Sequence, residues 1–379
     1  MKLCMLSTGH EPVDDRIYYK EALSLSSKYS DIAIIGRGDN AGSIKNNKIK
    51  IIPLKNSGSI LSRVLLIPRA VKMIVQIKPD VCHFHDYELI FALPFLKIFS
   101  RCKIIYDVHE VYPEMIESSM KIPRILRPYM TKLVDLSERM LSHLTDYIIT
   151  SDENISKRFT SNKHVATIFN YPRLSIFTPD ENKLFHLRQR YNGRIPIIYQ
   201  GGMSADRGLF KMIEAMQLLK NKRPDIILLL AGEMSGELFK RAKEEIQQKG
   251  LSNSIDILGW IPHEDVVNYM YVSKIGLVPL LPTKKYTKNI PIKQFEYMAC
   301  GIPVLGADLP PISSYVISSG CGRVYDSTSS EALAFEILNI LEDESGWKRM
   351  SEAGKAATQN WWNWGKMEEK LFFVYNELT

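Results

Sequence analysis

Near the last quarter of the chain, Asn289-Ile-Pro-Ile-Lys-Gln-Phe-Glu-Tyr-Met-Ala-Cys-Gly-Ile-Pro-Val-Leu-Gly306 sets Lys293 and Glu296 one helical turn apart, ahead of a Gly-x-Pro turn and an apolar strand. Phe295, Met298 and Ala299 recur at helical spacing and Gly301 suits the residue just past a helix, so the spacing predicts a short helix closing there. A cation in the first turn opposes the helix dipole unless an anion shares that N-terminus. A carboxylate one turn on suits a diol such as a ribose, which it can hold through two charge-assisted hydrogen bonds. A solvated i, i+3 ion pair would have the same spacing.

A second run, Gln200-Gly-Gly-Met-Ser-Ala-Asp-Arg-Gly-Leu-Phe210, joins a strand to a helix with Ile213, Met216 and Leu219 on one face. Gly201 and Gly202 let backbone N–H groups approach a phosphate, and Arg207 before Gly208 can fork onto its oxygens; a tight turn with a solvated arginine is the plain alternative. In Ile105-Tyr-Asp-Val-His-Glu-Val-Tyr-Pro-Glu114, Asp107, His109, Glu110 and Glu114 crowd the end of a strand, where acid/base or substrate-binding groups belong. His83 and His85 share one strand face and could both reach a metal, but no third ligand follows at a fitting spacing, so no metal site is expected. Around Ser7-Thr-Gly-His-Glu-Pro-Val-Asp-Asp-Arg16, Gly9 and His10 are acceptor-side candidates, with Asp15 and Arg16 expected in solvent.

These groups need elements to position them. The 379 residues suit two domains, and 45% hydrophobic with 24% charged content is that of a soluble globular chain. Short apolar runs alternate with helical stretches, which predicts parallel sheets covered by helices on both faces. Strands are expected at 3–7, 31–35, 49–53, 81–83, 103–107, 147–150 and 165–168, then at 197–200, 226–231, 255–258, 275–279, 303–306 and 322–324. Residues 170–196, with Pro172, Pro179, Gly193 and Pro196, read as a linker. The domains are expected at 1–185 and 186–358, with 359–379 a final helix packing back on the first. The fold class is α/β, two doubly wound Rossmann-like domains facing a cleft.

Five cysteines without a C-x-x-C point to a reduced, cytoplasmic setting with neither disulfides nor zinc. No stretch nears the roughly 18 apolar residues of a spanning helix. The net charge of +7 is gathered in residues 1–190, which hold 28 Lys and Arg against 20 Asp and Glu. Residues 45–79 and 120–133 are basic and amphipathic, so an anionic membrane surface is one expected partner and an ordinary core-facing helix the alternative. Nucleic acid is not expected, as aromatic interleaving is lacking. Without a G-x-G-x-x-G after the first strand, a nicotinamide enzyme is the weakest reading.

The run at 289–306 resembles a donor signature of the family 4 retaining glycosyltransferases of the GT-B fold, N-x-P-x-K-x-x-E-Y-M-A-x-G-x-P-V. The run at 200–210 resembles their G-G-x(4)-R-G. The resemblance implies that Glu296 holds the nucleotide ribose, that Lys293 lies by the donor diphosphate, and that Asn289, Ile292, Gly201, Gly202, Arg207 and Gly208 belong to the same donor site. Leu258-Gly-Trp-Ile-Pro resembles the segment that meets the base, through the backbone of Trp260 and Ile261. His109 would stand against the donor sugar, with Glu110 and Glu114 touching the acceptor or orienting it. Many members carry a glutamate where this chain has Lys288, so another group must serve the sugar hydroxyls.

The chain also lacks any Asp-x-Asp pair, so no cofactor or metal is expected at the diphosphate. The expected activity is a retaining, metal-independent transfer from a nucleotide-diphosphate sugar to a saccharide acceptor, lipid-linked in the leading reading, at the inner face of the plasma membrane. A small soluble acceptor, a GT-B sugar-nucleotide epimerase and a non-catalytic binder are the alternatives.

Overall fold

The computed structural model describes residues 1–38, 47–55, 59–119 and 122–378. Two compact units emerge, one of Met1–Asn170 with Trp364–Thr379 and one of Tyr171–Asn363. In the first, β1 (Lys2–Leu6), β2 (Asp31–Arg37), β3 (Ile49–Leu54), β4 (Val81–Phe84), β5 (Lys103–Val108), β6 (Tyr147–Thr150) and β7 (Val165–Thr167) form one sheet in the order β3-β2-β1-β4-β5-β6-β7. In the second, β8 (Ile195–Gln200), β9 (Ile226–Ala231), β10 (Ile255–Gly259), β11 (Ile275–Val278), β12 (Val304–Ala307) and β13 (Gly322–Tyr325) run in the order β10-β9-β8-β11-β12-β13. Every pairing is parallel. All thirteen expected strands form, within one or two residues at each end. Their sequences dictate this. Ile226–Ala231 is apolar throughout and buried throughout, as a parallel strand covered on both faces must be.

Each sheet reverses its winding once, between β1 and β4 in the first unit and between β8 and β11 in the second. Loops leaving neighbouring strands diverge at such a point, and the opening lies beyond the carboxyl ends of the strands. The Ser7–His10 loop follows β1 and His85 follows β4. In the second unit, Gly201 follows β8 and Pro279 follows β11.

The division between units falls at Asn170/Tyr171, not at 185/186, and residues 170–196 are not a bare linker. Asp180 accepts from the N–H groups of Asn182 and Lys183 and so caps a helix, Glu181–Arg190. That helix belongs to the second unit. Asn268 accepts from the Asp180 N–H at 2.8 Å, and Tyr271 Oη donates to the Phe177 carbonyl at 3.0 Å. The chain re-enters the first unit with the helix Trp364–Asn376. Trp364 is 1% exposed and donates Nε1–H to Ser24 Oγ at 2.8 Å, and Tyr375 is fully buried beside His83.

The two basic stretches differ in kind. Residues 60–77 break at Leu66, ahead of Pro68, into helices Ile60–Leu65 and Ile67–Ile77; the second turns Ile67, Ala70 and Ile74 inward and Arg69 and Lys72 outward. It is a core-facing helix. Residues 122–140 instead expose Ile125, Leu126, Tyr129, Leu133, Leu136 and Met140. Asp39, Lys45, Met120 and Lys121 lie outside the described residues. Among the described residues no helix is long and apolar enough to cross a membrane.

Candidate functional site

Gly201 ends β8 with φ +113°, and Gly208 opens the helix Leu209–Leu219 with φ +80°. At Gly208 a Cβ would lie 2.1 Å from the Pro279 carbonyl oxygen, so only glycine fits. Arg207 folds back over this turn, with Nη1 donating to the Gly202 carbonyl at 2.8 Å and Nε to Tyr286 Oη at 3.1 Å. The helix Lys293–Cys300 ends at Gly301, which takes the left-handed conformation expected of it. Tyr297 Oη accepts from the Gln200 N–H at 2.9 Å, which holds the helix against the end of β8.

Lys293 and Glu296 are thereby turned toward the glycine-rich turn. As a whole Lys293 is only partly covered, but its ammonium is sealed. Nζ has no hydrogen-bond partner and rests 3.8 Å from the centroid of the Tyr199 ring; a Cβ on Gly201 would come within 3.3 Å of it. Burial, helped by the nearby Arg207 charge, pushes the Lys293 amine well below the ordinary lysine value. Glu296 is 8% exposed and meets Gln200 Nε2 on one oxygen and His263 Nε2, at 3.2 Å, on the other. The solvated ion-pair alternative is thus excluded.

Two openings flank these groups. One, of about 910 Å³, is lined by Gly202, Arg207, Glu233, Trp260 and Tyr286 among others. The other, of about 390 Å³, includes Gln200, Gly201, Trp260, Ile261 and His263. Trp260 is 67% exposed, which suits a contact through its backbone. Asn289 and Ile292 lie on the approach to the lysine helix, partly covered, while Lys288 is exposed.

In the first unit, the order β1-β4-β5 gathers residues far apart in sequence. His109 Nε2 lies 3.1 Å from Asp107 Oδ2, and the His10 ring centroid is 5.4 Å from that of His109. An ionised Asp107 can only accept, so this contact favours the His109 tautomer with its proton on Nε2. Gly9 is pinned as its N–H donates to Asp86 Oδ2 at 3.0 Å, and a Cβ there would strike Asp86 and Arg63. The His10 pKa is raised by its hydrogen bond to Asp14, against the effect of burial. Ser151 Oγ donates to the His109 carbonyl at 2.9 Å, while Glu110 is partly exposed beside it and Glu114 sits in the first turn of the helix Tyr112–Ser118.

Arg16 corrects the sequence reading, for it is 3% exposed rather than solvated. It forks onto Asp107 through Nε at 2.8 Å and Nη2 at 3.0 Å and donates Nη1–H to the Ile168 carbonyl. Burial alone would raise the Asp107 pKa, but the Arg16 charge overrides it and holds the carboxyl well below its usual range. Glu21, Asp86 and Arg63 were likewise not singled out by spacing. Asp86 and Arg63 meet across 23 residues, and Glu21 faces His83 and His85 more than sixty residues on, so no local pattern announces them.

The two winding sheets and the donor-type motifs define the GT-B class. Residues 181–357 match the family described as "Glycosyl transferases group 1". Among curated relatives, a chitobiosyldiphosphodolichol beta-mannosyltransferase of Candida albicans is 21% identical over 75% of this chain and 65% of its own length. A GDP-mannose-dependent monoacylated alpha-(1-6)-phosphatidylinositol monomannoside mannosyltransferase of Corynebacterium glutamicum is 21% identical over 61% of this chain and 60% of its own. The chain thus spans under two thirds of these relatives. Among solved structures, sucrose-phosphate synthase of Thermosynechococcus elongatus superposes with TM-score 0.78 at 18% identity, covering 100% of this chain and 98% of that one. Anabaena HepE in complex with UDP superposes with TM-score 0.76 at 15% identity, covering both chains fully. The fold is GT-B, and residues 181–357 of the chain are similar to the group 1 glycosyl transferases.

Proposed function

We propose that the chain transfers a hexosyl group from a nucleotide-diphosphate sugar to a saccharide acceptor, with retention of configuration and without a divalent cation at the diphosphate. The sealed, unpaired Lys293 ammonium beside the Gly201–Gly202 turn carries the reading, since a diphosphate would supply the anion it lacks. Arg207 adds a second cation. Glu296 holds the ribose, displacing Gln200 or His263 to do so, and the Trp260–Ile261 backbone meets the base. His109, oriented by Asp107, acts on the sugar, with Glu110 beside it, while Gly9, His10 and Glu114 serve the acceptor. The leaving phosphate assists a same-face attack, and Arg207 and Lys293 stabilise the charge it gathers.

A lipid-linked acceptor at an anionic membrane surface, on the cytoplasmic side, is the finer reading. Its support is the exposed apolar face of residues 125–140, bordered by Arg124, Arg127, Lys132 and Arg139, with exposed Phe95, Ile98 and Phe99 on the helix Leu93–Phe99. Two relatives act, by their names, on a dolichol-linked and a phosphatidylinositol-linked substrate. A thermal-shift panel of nucleoside diphosphates and their sugars should yield one base that raises the melting temperature, and incubation of that donor with a lipid extract should give a glycosylated product. Anomeric proton NMR of the product reads the stereochemistry. Release of free nucleoside diphosphate with no glycosylated product would refute transfer.

A further inference from the structure

A buried cluster at the carboxyl end of β4 shares only Asp107 with that reading. His83 lies on β4 and His85 two residues on, so the strand period turns both rings to one face, their centroids 4.4 Å apart. Strand β5 brings Asp107 beside them, and the π-wound helix Asp15–Ala22 brings Glu21. The sequence offered the histidine pair but no third group at a suitable spacing; tertiary structure supplies two. One nitrogen or oxygen from each of the four lies within 4.8 Å of those of the other three, and all four residues are at most 1% exposed.

Several of these atoms face one another without hydrogen bonds. His83 Nδ1 pairs with Tyr375 Oη at 2.9 Å, and His85 Nδ1 faces Asp107 Oδ2 at 3.5 Å. Nε2 of both rings and both oxygens of Glu21 make no hydrogen bond, although Glu21 Oε1 stands in an ion pair with Arg16. Buried polar atoms are nearly always paired, so four such atoms in one spot call for something that satisfies them together. Charge points the same way. Glu21 and Asp107 share the one guanidinium of Arg16, whose Nε lies 3.0 Å from Glu21 Oε1 and 2.8 Å from Asp107 Oδ2, so two carboxyl groups divide a single cation.

We propose that Glu21, His83, His85 and Asp107 form a zinc site that ties β4, β5 and the helix Asp15–Ala22 together. Two imidazole nitrogens with two carboxylates are a donor set zinc accepts in tetrahedral form, and bonds of about 2.0–2.2 Å would set the donors roughly 3.4 Å apart. The separations are 3.8 Å from His85 Nε2 to Glu21 Oε2 and 3.9 Å from His83 Nε2 to Asp107 Oδ2, with every pair of donors within 4.8 Å, so the four close inward on the metal. An outer layer is already built. Tyr375 Oη holds Nδ1 of His83 at 2.9 Å, and Arg16 orients both carboxylates. The site is sealed from solvent, so zinc enters as the chain folds and exchanges slowly. The proposal stands whether or not the chain transfers a sugar.

The test is elemental analysis of the full chain, expressed with zinc in the medium and dialysed against EDTA. The expected content is close to one zinc per chain, lost on unfolding with chelator. Refolding with zinc should restore a melting temperature that refolding with EDTA lowers, and refolding with cobalt should give the visible absorption of a tetrahedral site. Glu21→Gln and His83→Gln should each drop the zinc to background. Zinc well below one per chain, with the same melting temperature after refolding in zinc or EDTA, would overturn the proposal in favour of a proton held on Glu21. Full zinc in both variants would overturn it as well.

Discussion

Replacing Lys293 by methionine keeps the length and apolar stem of the side chain but removes an ammonium that has no hydrogen-bond partner and rests on the Tyr199 ring. Leaving a buried donor unpaired costs about 1–3 kcal/mol, and more for a charged one. The Tyr199 ring returns about 1–2 kcal/mol of that through its quadrupole. The expected net effect of Lys293→Met is a stabilisation of about 1 kcal/mol, or roughly 2–4 °C in melting temperature for a unit of this size. Function should move the other way. A charge-assisted hydrogen bond to a diphosphate contributes about 1.5–3 kcal/mol, so donor affinity should fall by roughly 10- to 150-fold.

The pH dependence has a definite sign. In the folded state the Lys293 amine titrates well below its ordinary value of 10.5. Its penalty is therefore fully present below the folded pKa and is relieved as pH rises from there toward 10.5. The stability advantage of the methionine variant should shrink over that range. Calorimetric titration of the wild type in buffers of different ionisation enthalpy should show proton uptake as the donor diphosphate raises the amine's pKa. A methionine variant that melts lower than wild type and binds the donor equally well would refute the reasoning.

Glu296→Ala should lose most donor affinity in the same assay with an unchanged circular dichroism spectrum; unchanged affinity would end its ribose assignment. Gly208→Ala must place a Cβ 2.1 Å from the Pro279 carbonyl oxygen at φ +80°, and should cost at least 1–3 kcal/mol in chemical denaturation. Asp107→Asn removes one partner of a fully buried ion pair with Arg16, so a loss of about 3–5 kcal/mol is expected in denaturation, together with a lowered turnover as His109 loses its fixed tautomer. Leu133→Glu with Ile98→Glu should abolish flotation with anionic vesicles while leaving donor affinity unchanged, and continued flotation would remove this face as the docking surface.

Much of this molecule is legible in local patterns. Strand positions follow from runs such as Ile226–Ala231, because a strand buried on both faces must be apolar at every position. The candidate donor groups are equally local, since Gly201, Gly208, Lys293 and Glu296 are placed by turn and helix geometry set by their immediate neighbours. The helix Glu181–Arg190 was misread as linker because the three prolines in residues 170–196 outweighed the Asp180 cap. The exposed run Phe95, Ile98 and Phe99 was missed because an apolar helical segment looks the same whether it faces the core or solvent.

The chain's own order of residues determined the α/β class, the thirteen strands and the glycine turn and lysine helix of the candidate site, because each rests on contacts within a strand, a turn or one helical turn. Tertiary structure alone decided that Arg16 is a buried fork on Asp107 rather than a solvated cation, that the Lys293 ammonium is sealed, and that Glu21 and Asp107 meet His83 and His85. The physical reason is the parallel sheet itself. The order β1-β4-β5 sets side by side the ends of strands that lie scores of residues apart, and the charges gathered there are matched only in space.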